Sequence, residues 1–150
     1  MTYLYRFIKY ALALLALGWT AQTLWFHSLP RVQLQVNSRP LRVAIADTPA
    51  RQAWGLMYRI ALADGEGMLF VYSAPRGVCM WMRNTFIPLS VAFIGQDGIV
   101  RGLEDMQPLT RQLHCSPAPV TYALEVPAGW FGASAVNVGT RISGLPLPSR

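Results

Sequence analysis

From Val32 onward the apolar residues come in short runs, several of them alternating with polar residues and most closed by proline, glycine or asparagine. A period of two sends successive side chains to opposite faces of an extended chain, so the pattern calls for strands rather than long helices. Val32, Leu34 and Val36 set it, and Leu41, Val43 and Ile45 repeat it after the turn Asn37-Ser38-Arg39-Pro40, which predicts a hairpin. Further strands are expected over Gly67 to Tyr72, Val78 to Arg83, Leu89 to Ile94, Ile99 to Met106, Val120 to Val126 and Val136 to Ile142. Ser73 to Gly77 and Gln96-Asp97-Gly98 read as turns, and Pro88 marks a bend or a sheet edge. Thr48 before Pro49 is a helix start, and Ala50 to Met57 would follow as a helix kept brief by Gly55. Gln107 to Pro119 holds three prolines and reads as a loop. The expected fold is mainly β: a compact antiparallel barrel or roll with one short helix, preceded by an N-terminal hydrophobic helix.

That N-terminal helix bears on the compartment. Arg6 and Lys9 precede an uncharged run from Tyr10 to Phe26, which as a helix spans about 25 Å, the low end for a bilayer crossing. Basic residues before the run place the N-terminus in the cytoplasm. A cleaved signal peptide begins in the same way, and Ala16-Leu17-Gly18 is the best small-x-small site for cleavage. Trp19, Trp25 and Phe26 beyond it suit an interfacial belt better than a discarded leader. Residues 1–29 are therefore expected to be a signal-anchor or signal peptide, and 30–150 a single β-rich domain. The expected location is the cytoplasmic membrane, single-pass through residues 10–26, with the domain in the periplasm. If the leader is cleaved, a soluble periplasmic protein results.

With 150 residues, 53% of them hydrophobic and 13% charged, the chain can bury one real core but not two. The net charge of +6 rests on twelve arginines and the single Lys9. Those arginines are dispersed, without the clustering a nucleic-acid footprint needs, so no nucleic-acid partner is expected. The oligomeric state is not readable from these features. Cys79 and Cys115, 36 positions apart, lack the close spacing of a zinc pair, leaving two buried thiols or one disulfide. In an oxidising compartment a bridge is the default, and neither cysteine has the Cys-x-x-Cys spacing of a redox-active pair.

Three strings of rarer residues run through the domain: Gly55-Leu56-Met57-Tyr58-Arg59, Gly67-Met68-Leu69-Phe70 and Met80-Trp81-Met82-Arg83-Asn84-Thr85-Phe86-Ile87-Pro88-Leu89. With Ala46-Asp47-Thr48-Pro49, Leu103-Glu104-Asp105-Met106, Ala123-Leu124-Glu125 and Ala128-Gly129-Trp130-Phe131, they resemble the uncharacterised family known as domain of unknown function 192, from about Val43 to Ile142. The resemblance implies a fold and, for exported members, a cysteine before the Trp-Met string and another in a His-Cys segment. It implies no reaction. It places Arg51, Arg59, Asn84, Glu125 and Gly139 at motif positions, and the family often carries Asp where this chain has Ser90 and Thr140.

Strand alternation would set Met80, Met82 and Asn84 on one face and Cys79, Trp81 and Arg83 on the other. An indole and a guanidinium on one side, Trp81 and Arg83, could form a stacked platform for a sugar, whereas the plainer reading buries Trp81 in the core. Glu125 with Asp105 or Glu104 could supply the two carboxylates of a glycoside hydrolase, though adjacent Glu104 and Asp105 face opposite ways. The plainer reading pairs Arg51 or Arg59 with Glu125 as a buried ion pair. Met57, Met68, Met80, Met82 and Met106, with His114, could bind copper(I) or simply fill an irregular core. No Gly-x-Ser-x-Gly elbow, phosphate loop, dinucleotide fingerprint or His-Glu-x-x-His string occurs, so neither a cofactor nor a metal is assigned.

The resulting expectation is an exported, membrane-tethered binding or envelope-support module without catalytic turnover, for a carbohydrate or other envelope ligand. Its candidate ligand-binding residues are Trp81, Arg83, Arg51, Arg59 and Asn84. The alternatives are an enzyme acting on an envelope carbohydrate through Glu125 and Asp105, and periplasmic copper handling by the methionines.

Overall fold

The computed structural model describes residues 2–148. Helix α1 (Thr2–Ser28) leads into strand β1 (Arg31–Val36) and strand β2 (Arg39–Ala46), which form the expected hairpin with Val36 opposite Arg39. Its turn is shorter than expected. Asn37, at φ +51°, takes the left-handed conformation that lets two residues reverse the chain, so Arg39 and Pro40 already belong to the strand.

Helix α2 (Pro49–Trp54) starts where Thr48 and Pro49 predict, with the Thr48 hydroxyl accepting the Arg51 N–H at 3.3 Å. It stops at Gly55, φ +51°, three residues earlier than expected. Replacing Thr48 with Ala removes that cap and should lower stability by about 1 kcal/mol in urea unfolding. An unchanged midpoint would mean the cap is redundant.

Strand β3 (Glu66–Arg76) runs through the segment expected to turn at Ser73, and lies parallel to β2 because α2 and its flanking loops carry the chain back across the sheet. Only Cys79–Met80 of the next predicted strand pairs, as β4. Strands β5 (Leu89–Ile94) and β6 (Val100–Met106) form the hairpin around Gln96-Asp97-Gly98. The loop after β6 contains the two-residue β7 (His114–Cys115), and β8 (Val120–Pro127) returns to the centre of the sheet. Trp130–Ala133 forms a second short helix, α3, where none was expected, and the final strand β9 is only Ile142–Ser143.

Seven strands pair in the order β6-β5-β8-β3-β2-β1-β9, while β4 and β7 make a separate two-stranded ribbon. The sheet curls into a half-barrel, not a closed antiparallel barrel, and its β2–β3 pair is parallel. A single bridge between Ile99 and Arg141 laces its two ends at one corner. The central strands β5 and β8 are buried along almost their whole length, so both faces of the sheet are covered. One face packs Leu34, Leu41, Ile94 and Leu124 under Trp130 and Phe131. The other packs Met68, Met82, Phe93 and Met106 with Phe26 from the end of α1 and Leu29 just after it. At about 25 cal/mol per Å², each large side chain buried here contributes roughly 1.5–3 kcal/mol.

The uncharged run read as a single-pass span is helical. Nevertheless, among the described residues no helix is long and apolar enough to cross a membrane. The Trp19 side chain, expected at its interfacial end, lies outside the described residues. Phe26 is fully buried instead of lying in a lipid interface, with the Arg59 guanidinium 3.9 Å and that of Arg31 4.8 Å from its ring centre.

Candidate functional site

On the face that holds Met68 and Phe93, a cleft of about 220 Å³ opens between α2 and the β4–β7 ribbon. Trp54, Leu56 and Met57 form one wall, Met80, Trp81 and Arg83 the other, and Phe70, Tyr72 and Glu125 the floor. Each wall has a local cause. Gln52 anchors α2 by donating to the carbonyls of Val71, at 2.8 Å, and Ala46. The ribbon is fixed by the Cys79–Cys115 disulfide, formed between directly opposed residues with Cα atoms 4.0 Å apart. Both bridged residues are exposed.

Glu125 is only 3% exposed and, among the described residues, makes no hydrogen bond or ion pair. Burial pushes its carboxyl up to about 8, so at neutral pH it is a proton-bearing acid bordering the cleft. Tyr72 beside it is pushed up to about 12, first by burial and then by the Glu125 charge, and points its hydroxyl at the Met80 sulfur, 3.9 Å away.

The buried ion pairs expected for Glu125 do not form. Arg51 binds Asp47 at 2.6 Å, one turn away on its own segment, and Arg59 lies over Phe26 and donates to the Ala61 carbonyl at 3.2 Å. Neither lines the cleft. Asn84 stands outside it as well, as a brace: its carbonyl accepts the Tyr58 N–H at 2.7 Å and its amide donates to the Tyr58 hydroxyl at 3.0 Å. Both residues adopt positive φ, so the two turns that carry the cleft walls hold each other in an unusual conformation.

Trp81 is 47% exposed at the cleft mouth, which overturns its placement in the core. The alternation around it survives as burial, with Met80 and Met82 inward and Cys79, Trp81 and Arg83 outward, although only Cys79 and Met80 pair as a strand. The cation–π contacts of the described residues do not include Trp81 with Arg83, so the two border the same cleft without stacking.

The proposed carboxylate pair is not assembled. Asp105 sits opposite Ser90, which in turn sits opposite Val126, so it lies on the other face of the sheet from Glu125. Glu104 shares the face of Glu125, but two strands away, about 10 Å, with fully buried Val91 between them. It is engaged elsewhere, by the Nδ1 of His114 at 2.6 Å. Met68, Met82 and Met106 are sealed in the core, and no group of three His, Cys, Asp or Glu residues among those described could hold a metal ion.

A second hollow, about 260 Å³, lies on the opposite face and was not foreseen. There the Ser90 hydroxyl donates to Asp105 and accepts the Gly129 N–H at 3.2 Å. Thr140, the other position where the family often carries Asp, accepts the Asn137 N–H at 2.9 Å. Both positions thus hold turns near α3 and lie away from the Glu125 cleft.

The chain belongs to the uncharacterised family called domain of unknown function 192, described as "Uncharacterized ACR", whose profile matches residues 32–144. It is similar to a crystal structure from Sinorhizobium meliloti 1021, described as a candidate transcription regulator. That likeness has 39% identity, covers 76% of this chain and 92% of that one, and has a TM-score of 0.71. It is also similar to a Novosphingobium aromaticivorans DSM 12444 protein described as of unknown function, with 31% identity, coverage of 75% and 83%, and a TM-score of 0.69. No curated protein matches the chain.

Proposed function

We propose that this chain is an exported, membrane-attached binding module, without catalytic turnover, whose cleft takes a small uncharged polar ligand such as a sugar unit of an envelope glycan. The observation that carries the reading is Glu125: a buried carboxyl, pushed up to about 8 by that burial and without a hydrogen-bond partner among the described residues, bordering an open cleft with an indole at its mouth. Such a carboxyl can donate one hydrogen bond and accept another, which suits a hydroxyl or an acetamido group, while Trp81 offers a flat apolar face to a sugar ring. Burial without a partner makes that carboxyl costly, and a ligand group would supply the missing hydrogen bonds. The separation of Glu104 and Asp105 from Glu125 weighs against the two-carboxylate enzyme, and the burial of Met68, Met82 and Met106, which leaves only Met57 and Met80 on the cleft walls, weighs against copper handling.

Two features support the location. The exposed disulfide is of the kind that persists in oxidising compartments. Leu12, Leu14, Leu15, Leu17 and Leu24 of α1 are each 60–71% exposed, and lipid is the medium that would cover them. The attachment proposed is insertion of α1 into the membrane interface.

The test is binding of soluble N-acetylhexosamine oligomers, titrated against intrinsic fluorescence with the full chain in detergent micelles. Trp81→Ala should leave stability within about 0.5 kcal/mol of wild type, because the side chain is half exposed. It should weaken binding about tenfold, the worth of one ring stacked on a sugar. Equal affinity in the variant, or no saturable response from wild type, would reject the reading.

A further inference from the structure

Four aromatic rings form a continuous ladder from the end of α1 to the turn that closes the Trp81 segment. Trp25 meets Trp54 at 6.0 Å between ring centres, Trp54 meets Tyr58 at 5.7 Å, and Tyr58 meets Phe86 at 6.2 Å. Rings in such contact ordinarily form a core, yet Trp54, Tyr58 and Phe86 are 42–45% exposed, and neighbouring Ile60 is 60% exposed. Their presentation is built in. Tyr58 is held at φ +61° by its hydrogen bonds to Asn84, itself at φ +56°, so two uncommon backbone conformations are maintained on the segment that displays the rings.

One cation, Arg83, flanks this strip without an acid to neutralise it. Arg83 makes no ion pair among the described residues, whereas the Arg59 guanidinium is turned inward over Phe26, with its Nη1 buried and the Glu66 charge favouring its protonated form. The strip is also continuous with α1, because Trp25 is at once its first rung and part of the helix that exposes its leucines.

We infer that the Trp54-Tyr58-Phe86 face of the domain rests on an anionic phospholipid surface, with the rings at headgroup depth and Arg83 facing lipid phosphates. Amphipathic rings prefer that depth, and basic residues near an anionic leaflet are attracted to it. Trp54 also walls the cleft, so this docking sets the cleft mouth beside the membrane surface, not away from it. The inference goes beyond attachment by α1, since it concerns which side of the domain faces the lipid.

The full chain is bound to vesicles of phosphatidylglycerol and phosphatidylcholine carrying bromine on their acyl chains, which quench nearby indoles. Co-flotation reports attachment, and quenching reports the orientation of the domain. Trp54→Phe should float with the vesicles like wild type but lose a distinct quenched component, whereas Trp130→Phe, on the buried opposite side, should not. Phe86→Trp, made in the otherwise wild-type chain, should gain a quenched component, which keeps the inference testable if Trp54→Phe misfolds. On vesicles of phosphatidylcholine alone, the Trp54 component should be several-fold weaker. Co-flotation with quenching unchanged by either substitution, or equal on neutral and anionic vesicles, would overturn the inference. A chain that does not float would overturn both this docking and the attachment through α1.

Discussion

Glu125→Gln should abolish most of the loss of stability that the wild-type protein suffers between about pH 4.5 and pH 8. The Glu125 carboxyl is held up to about 8 by burial, against its ordinary 4.5. In that interval the unfolded chain releases this proton and the folded chain keeps it, so the folded state binds more protons and stability falls as pH rises. The contribution is fully present below the unfolded value and gone once pH passes the folded one. Integrated over the window it is on the order of 3 to 5 kcal/mol, a large share of what a domain of this size possesses. Glutamine keeps the shape and cannot ionise, so the variant should match wild type near pH 5 and exceed it near pH 8. Urea midpoints at pH 5, 6.5 and 8 decide the matter. Parallel profiles for the two proteins would mean that Glu125 is hydrated and titrates normally. Ligand binding by wild type should weaken over the upper part of the same window, as the cleft loses its proton donor.

Replacing both cysteines with serine should destabilise the fold by about 4 kcal/mol, the chain-entropy cost released by opening a loop between residues 36 positions apart. The effect should be local as well as global. Cys79 and Cys115 hold the β4–β7 ribbon, which is otherwise only two residue pairs long, and Met80 and Trp81 of the cleft wall follow directly from it. Amide exchange at Met80, Trp81 and Met82 should therefore accelerate before the central strands loosen. Because both cysteines are exposed, mild reductant should act on the folded protein and reproduce the change. A variant within 1 kcal/mol of wild type would show that the loop retains its conformation without the bond.

Where a strand was written in a strict period of two, or a turn in a strong pair of residues, the sequence was legible. The Val32–Ile45 hairpin is found where alternation and turn chemistry put it, Leu89 to Ile94 where Pro88 and the Gln96-Asp97-Gly98 turn bound it, and the Thr48 cap where Thr48 and Pro49 predict it. What could not be read depends on partners distant in the chain. Val78 to Arg83 has strand-like residues, but only two of them find an edge to pair with. Val136 to Ile142 yields its place to turns that pack on α3, and only Ile142 continues into strand. The site shows the same limit more sharply. Ile94 pairs with Val100, yet Phe93 pairs with Gly102, so one extra residue intervenes in β6. Counting back from the Gln96-Asp97-Gly98 turn without that bulge would put Asp105 on the face of Glu125, whereas the bulge exchanges the faces and puts Glu104 there. Trp81 was misjudged for a related reason. Its bulk suggested burial, but Met80 and Met82 on either side take the inward positions, and alternation leaves the indole outside.

The parallel pairing of β2 with β3 obliges the chain to travel from one end of the sheet to the other between Ala46 and Glu66, and that crossover supplies one whole wall of the cleft. Two requirements are thereby separated in the genetic text. Register and core are written in the strands, while the shape of the cleft is written largely in a connection whose length and composition the strands do not dictate. A substitution between Ala46 and Glu66 can therefore reshape the cleft wall while leaving the register of the sheet unchanged.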